Sequence, residues 1–363
     1  MIKNRLKIGG SGYGYYENLT EHLGTNDPDI IFGEKFYWPR QFEIHLPSNH
    51  KNSCNLNCKW CKGALYDKQL GTWELKGLGL LNKLRGSIPY HIYSGTYTEP
   101  TMNPYLLPYL ATTKKYNNCF GIHTNGTKLL TLENTVGFLT ELDRLASSRE
   151  DYLSISLDGG SARSWAKAKS SIKSMFYDIM DGIRRITSIR NKSNKPYAIR
   201  VCYLMNKDND SSSNILRVIG AMKDFGVDSV RFAAPHSGGA EDTHKDAYAE
   251  KLAPHLSSDT TDKPYVFYVG LLNDHTFNKC IFHAYQITYG ADGYAYRCSA
   301  VAAPNAEHCR LGVATDDLDE FRTIINNGKN KAWDCKKMCF DRGLRCDRIA
   351  IELNQEYKRL VDR

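Results

Sequence analysis

Short strand-like runs alternate with segments of helical period through the first two thirds of the chain, and this pattern restricts the fold more than any other feature. The runs are Gln41–Leu46, Tyr90–Ser94, Phe120–His123, Leu153–Leu157, Ala198–Leu204 and Ser229–Ala233. Between them Ile172, Met175, Phe176, Ile179, Ile183 and Ile186 recur every three or four residues, as do Ile215, Val218, Ile219, Met222 and Phe225. Each series places one apolar stripe on a helix that can cover a sheet. Six strands separated by helices imply parallel strands with right-handed crossovers, in an open sheet or a partial barrel.

In such folds the chemistry collects in the loops that follow the carboxyl ends of the strands. The first strand runs into Cys54-Asn-Leu-Asn-Cys58-Lys-Trp60-Cys61, three thiols within eight residues. The second ends at Ser94 to Glu99-Pro100-Thr101 with Asn103-Pro104. The third ends at Thr124-Asn125-Gly126-Thr127, the fourth at Asp158-Gly159-Gly160, and the fifth at Asn206. These loops are expected on one rim.

Three explanations compete for the thiols. A structural zinc site wants four ligands in paired C-x2-C arms, and the x3-x2 spacing is not that pattern. A redox pair would use Cys58 and Cys61 and leave Cys54 idle. An iron–sulfur cluster takes thiolate ligands on short loops, and three protein ligands on four irons leave one iron open to a small molecule. Eleven cysteines in a chain that begins MIKNRLKIGG, without the apolar run of a signal peptide, also point to metal or redox chemistry over a disulfide framework. A cytoplasmic protein without membrane spans is expected. The charge of +8 is spread along the chain and does not by itself identify a nucleic-acid partner. Cys119 and Cys202 fall in apolar runs and read as small buried residues.

The cysteine loop resembles the CxxxCxΦC motif of the radical S-adenosylmethionine superfamily, Φ being aromatic. Thr124 to Thr127 resembles the T-N-G-T that ends its third strand, and Ser156-Leu157-Asp158-Gly159 its S-x-D-G. The ordered set covers roughly residues 38 to 235. The resemblance implies a partial (βα)6 TIM-like barrel. Cys54, Cys58 and Cys61 would hold a [4Fe-4S] cluster whose fourth iron binds S-adenosylmethionine. Reductive cleavage would then give a 5′-deoxyadenosyl radical that abstracts hydrogen from a substrate C–H. Trp60, Ser94, Glu99, Ser156 and Asn206 are the expected cofactor contacts. One departure stands out: the family's G-G-E-P is here stretched to Ser94-Gly95-Thr96-Tyr97-Thr98-Glu99-Pro100. An ordinary strand-to-helix turn with Asn103 capping is the alternative for that stretch.

The domain reading is a lead-in over 1–37, the barrel over 38–235, a polar linker over 236–262 with one helical turn, and a small C-terminal domain over 263–363. The last contains a strand over 264–270, a hairpin turn at Asp292-Gly293, and a closing helix over 348–363. Its Cys280, Cys298, Cys309, Cys335, Cys339 and Cys346 resemble the SPASM or twitch extension of the same superfamily, which implies at least one auxiliary [4Fe-4S] cluster. Cys280, Cys298, Cys335 and Cys339 are the expected ligands, with Cys346 close behind. Cys309 is a candidate hydrogen-atom donor or a small buried residue. A zinc ribbon remains an alternative for this tail.

The function expected from the resemblance is radical modification of a peptide by epimerisation, crosslinking or oxidation, fed by a flavodoxin- or ferredoxin-type electron donor. A sugar, aminocyclitol or nucleoside is the alternative substrate. A zinc-stabilised, basic nucleic-acid-binding protein is the alternative of another class, and it leaves the αβ alternation and the two strand-end motifs unexplained.

Overall fold

The computed structural model describes residues 36–48, 54–58, 61, 73–95, 97–233, 245–259, 261–269, 280–302 and 304–330. Ten strands form one sheet: β1 (Gln41–His45), β2 (Tyr90–Ser94), β3 (Cys119–Thr124), β4 (Tyr152–Ser156), β5 (Ala198–Leu204), β6 (Ser229–Ala233), β7 (Tyr265–Val269), β8 (Gln286–Tyr289), β9 (Tyr294–Tyr296) and β10 (Arg310–Val313). Their order is β10-β9-β8-β1-β2-β3-β4-β5-β6-β7. From β8 across to β7 every pairing is parallel, and β8, β9 and β10 form an antiparallel meander.

The six expected barrel strands are present: β1 ends one residue earlier than read, β3 is longer by one residue at each end, and β4 is shifted by one residue. The strand read at 264–270 is β7, and it extends the parallel sheet beside β6. The hairpin turn falls where its sequence places it: Gly293, in the left-handed region at φ 77°, lies between β8 and β9.

Helices cover the outer face: α1 (Trp73–Leu84), α2 (Leu106–Lys115), α3 (Leu129–Val136), α4 (Phe138–Leu145), α5 (Ala162–Lys169), α6 (Ser174–Ser193), α7 (Ser212–Phe225), α8 (Lys245–Leu252) and α9 (Leu318–Asn330). Burial follows the stripes. In α6 Phe176, Ile179, Ile183 and Ile186 are buried, and in α7 Ile215, Val218 and Met222. Each such side chain taken out of water stabilises by roughly 2 kcal/mol. Ile172 departs from its expected place, since it precedes α6 and is 61% exposed. The linker is also more structured than read, for α8 makes two turns there and seats Leu252 in the core. Helix α9, unread in the sequence, packs Phe321 against Phe42 and Tyr289, at ring separations of 5.5 and 5.7 Å. Among the described residues no helix is long and apolar enough to cross a membrane.

Between β2 and α2, His91 is wholly buried with its Nδ1 2.9 Å from the Thr113 hydroxyl. Burial pushes the ring down to about 3, so it is neutral in the fold. The unfolded chain takes up a proton near pH 6.5. The unfolded state therefore binds more protons between those values, and stability falls as pH falls through that window, by about 1.4 kcal/mol per unit from this ring. Urea unfolding at pH 7 and pH 5.5 is expected to show this slope, and a His91→Leu chain to lose its share.

Candidate functional site

The carboxyl ends of β1, β2 and β3 are knotted together around one carboxylate. Glu99 is 2% exposed and caps the short 3₁₀ turn Pro100–Met102. Its Oε1 accepts from the Thr101 amide (3.0 Å), the Thr101 hydroxyl (2.6 Å) and the Thr124 hydroxyl (2.6 Å), and its Oε2 from the Asn125 amide (2.7 Å). Burial pushes its carboxyl above the usual range, against the pull of these donors. The same Asn125 then reaches the cysteine loop. Its Nδ2 donates to Cys54 Sγ (3.3 Å) and to Asn55 Oδ1 (3.0 Å), while Asn55 donates to the Thr127 hydroxyl (2.8 Å). Asn103 completes the tie by donating to the Pro47 carbonyl (2.6 Å) and accepting from the Tyr105 amide (2.8 Å). The altered Ser94–Glu99 stretch thus still delivers Glu99 to the T-N-G-T loop.

Cys54, Cys58 and Cys61 are half-buried, and the Cys61 amide donates to the Cys58 carbonyl at 2.9 Å. Burial pushes the Cys54 thiol up to about 12 and the Cys58 thiol to about 11. Thiols in such surroundings ionise when a cation is present to receive them, and metal binding supplies one. Among the described residues no three His, Cys, Asp or Glu side chains converge to hold a metal ion. Three thiols on a short loop beside the strand-end rim fit an iron–sulfur cluster.

The S-L-D-G turn forms the next wall. Asp158 is wholly buried at φ 46°. Its Oδ1 accepts from the Leu204 amide (2.6 Å), its carbonyl from Asn209 Nδ2 (3.0 Å), and its Oδ2 pairs with Lys169 Nζ (2.5 Å). Burial works against the Lys169 charge, but Asp158 and the Cys58 thiol hold the ammonium above its ordinary value. Sequence reading missed this buried cation at the end of α5. Gly160 allows the turn to meet α7, because a Cβ there would lie 2.2 Å from the Asn214 carbonyl oxygen. A Gly160→Ala chain is expected to lose roughly 2 to 3 kcal/mol of unfolding free energy in urea titration.

The remaining expected contacts are distributed around this rim. Asn206, at the end of β5, accepts from the Asp208 amide, and its buried Nδ2 has no hydrogen-bond partner among the described residues. Ser156 is half-buried at the end of β4. Ser94 is buried and donates to Glu43 Oε1. Cys309 sits in the main hydrophobic core, 0% exposed, as a small packing residue would. Cys280 and Cys298 are half-buried, and Arg297 ties their segments by donating to the Cys280 carbonyl (2.7 Å). Trp60, Cys335, Cys339, Cys346 and the closing helix over 348–363 lie outside the described residues.

One expectation is corrected: Cys119, read as buried, is half-buried beside the Ser148 hydroxyl, whereas Cys202 is buried as read, 3.1 Å from the Ser154 hydroxyl. It belongs to the inward face of the sheet, whose polar lining sequence reading missed altogether. On that face Glu43 binds His45 (3.1 Å) and accepts from Ser94 and from Gln286 Nε2 (2.7 Å). Burial opposes its charge, and the bonds from His45 and Ser94 outweigh it, so the carboxyl lies below its usual range. The signal was present as polar alternation, in Gln41, Glu43 and His45 and again in Arg200 and Cys202.

No family model matches the chain, and no curated protein matches it. Solved structures do. SuiB from Streptococcus suis bound to precursor peptide SuiA matches with a TM-score of 0.58 at 12% identity, covering 84% of this chain and 71% of that one. SuiB bound to S-adenosylmethionine gives 0.53 at 13%, covering 74% and 62%, so the chain spans under two thirds of that protein there. The anSMEcpe protein with bound AdoMet and Cp18Cys peptide gives 0.52 at 16%, covering 88% and 95%. These neighbours are radical S-adenosylmethionine enzymes, and the chain has their partial-barrel fold.

Proposed function

We propose that the protein is a radical S-adenosylmethionine enzyme that modifies a peptide. The carrying observation is the hydrogen-bonded tie from Glu99 through Asn125 to Cys54, which fixes the half-buried three-thiol loop at the carboxyl ends of β1 to β3. Cys54, Cys58 and Cys61 would hold a [4Fe-4S] cluster, and Trp60, next to Cys61 in sequence, would contact the cofactor. When bound there, the cluster and S-adenosylmethionine supply a 5′-deoxyadenosyl radical for hydrogen abstraction from a substrate C–H. The chain's own residues orient and enclose. Asn125 steadies the Cys54 sulfur, Glu99 fixes the backbone of both flanking loops, and Ser156 and Asn206, at the ends of β4 and β5, would meet the cofactor's ribose.

Cys280 and Cys298, with Cys335 and then Cys339 or Cys346, would hold an auxiliary cluster, and a flavodoxin or ferredoxin would supply electrons. A peptide substrate is favoured because two of the fold neighbours were solved with a peptide bound. An isomerase or oxidoreductase outcome follows from this class. Anaerobically purified protein is expected to be brown and to carry about eight irons for two clusters. With dithionite and S-adenosylmethionine it should release 5′-deoxyadenosine and methionine. A colourless, zinc-containing protein that forms neither would refute the reading.

A further inference from the structure

A closed eight-stranded barrel fills its interior with Val, Ile and Leu. Here alternate residues turn a polar face inward, and the lining is divided by sign. Glu43 stands on β1 with its carboxylate satisfied by His45, Ser94 and Gln286. Arg200 on β5 and Arg231 on β6 stand across the interior. The register pairs Arg200 with Ser229 and Cys202 with Arg231, so the two guanidiniums are neighbours one pleat apart on the same face.

The two arginines act on each other and on one imidazole. Burial, with Arg231 adding to it, lowers the Arg200 pKa, and Arg200 lies over the Tyr152 ring at 4.7 Å. The Tyr152 hydroxyl is 2.7 Å from His123 Nε2. Gly121 makes room for that ring, since a Cβ there would meet it at 2.2 Å. His123 lies within electrostatic reach of Glu43 and of both arginines, and burial first of all pushes it down to about 4. The ring is neutral at pH 7, so the opposing wall carries two charges and a neutral donor or acceptor. Arg200 is only 7% exposed, whereas Arg231 and His123 keep partial exposure between the fully buried Val230, Phe232 and Ile122. Two guanidinium forks side by side on one face match the geometry of a carboxylate.

We propose that Arg200 and Arg231, beside His123, seat a carboxylate group of the substrate inside the barrel. The proposal deepens the reading of the protein as a radical enzyme and narrows its substrate. The carboxylate belongs to an acidic side chain or chain terminus of a peptide, or to a free carboxylic acid.

Calorimetric titration of the reconstituted full chain with four probes tests it: glutarate, its neutral isostere glutaramide, and two end-blocked hexapeptides carrying a single Glu or a single Gln. At least one carboxylate is expected to bind about tenfold or more tightly than its amide. Preference within the glutarate pair assigns a free acid, and within the hexapeptide pair a peptide. Arg231→Met is expected to abolish the preference. Arg231→Lys, which keeps the charge and loses the fork, should retain part of it and serves if the first variant does not fold. Equal binding of acid and amide, no binding of any probe, or an undiminished preference in both variants would overturn the seat. Iron content and 5′-deoxyadenosine formation in the same preparations report separately on the enzyme reading. Iron-loaded, active protein without the preference sinks only the seat, and a preference in iron-free, inactive protein sinks only the enzyme.

Discussion

A Cys58→Ala chain is expected to leave anaerobic purification with about four fewer irons than its parent and to form no 5′-deoxyadenosine above background. The loop itself should survive the change, because the bond that shapes it runs between backbone groups, from the Cys61 amide to the Cys58 carbonyl. Asn125 would still hold Cys54, and Glu99 would still hold Asn125. What is lost is one of three thiolates, and two cannot fix a four-iron cluster against exchange. Cys119→Ala and Cys202→Ala supply the contrast. Both thiols lie on the sheet, Cys119 near Ser148 and Cys202 near Ser154, away from the loop. Those chains should keep full iron and cofactor cleavage. Iron and sulfide assay with electron paramagnetic resonance of the reduced protein decides the matter, and a Cys58→Ala protein with undiminished iron would refute the ligand set.

Much of this scaffold is legible in the chain because the outer face obeys simple rules. Phe42 and Ile44 in β1, Phe120 and Ile122 in β3, and Leu153 and Ile155 in β4 are buried under helices whose stripes are equally plain. The strand-end loops were legible for the same reason, since parallel strands deliver their carboxyl ends to one rim. The other half of each strand was harder to read. Glu43, His123, Arg200 and Arg231 alternate with apolar neighbours just as solvent-facing residues would, and only the curling of the sheet turns that face inward. Sequence period tells which residues share a face and not what the face looks upon. Lys169 was hidden differently. It reads as a basic residue in the last turn of a helix, and its burial depends on Asp158 arriving from the end of β4.

Glu99→Gln is the second large effect, and it separates the fold's use of this residue from any cofactor contact. All four donors that reach Glu99 come from its own chain, three on Oε1 and one on Oε2. An amide keeps one acceptor. In its better orientation the new NH₂ faces the Asn125 N–H, so one charge-assisted bond becomes a donor facing a donor and the rest lose the carboxylate's charge. Removing an acceptor from buried donors in this way costs about 3 kcal/mol. The loss is local to the junction of the β2 and β3 loops, and Asn125 is the residue through which that junction reaches Cys54. Unfolding free energy should therefore fall together with iron retention, the cluster site loosening before the sheet does. Because the buried carboxyl lies above its usual range, the stability it contributes as an acid is present below the unfolded value and lost as pH rises through the folded one. The Gln chain has no such titration, so the stability deficit relative to the parent should narrow as pH rises from 4 through the folded value. Urea titrations across that range, with iron counted at each pH, measure both; a Gln variant with parental stability and iron would show that the four bonds do not hold the two loops together.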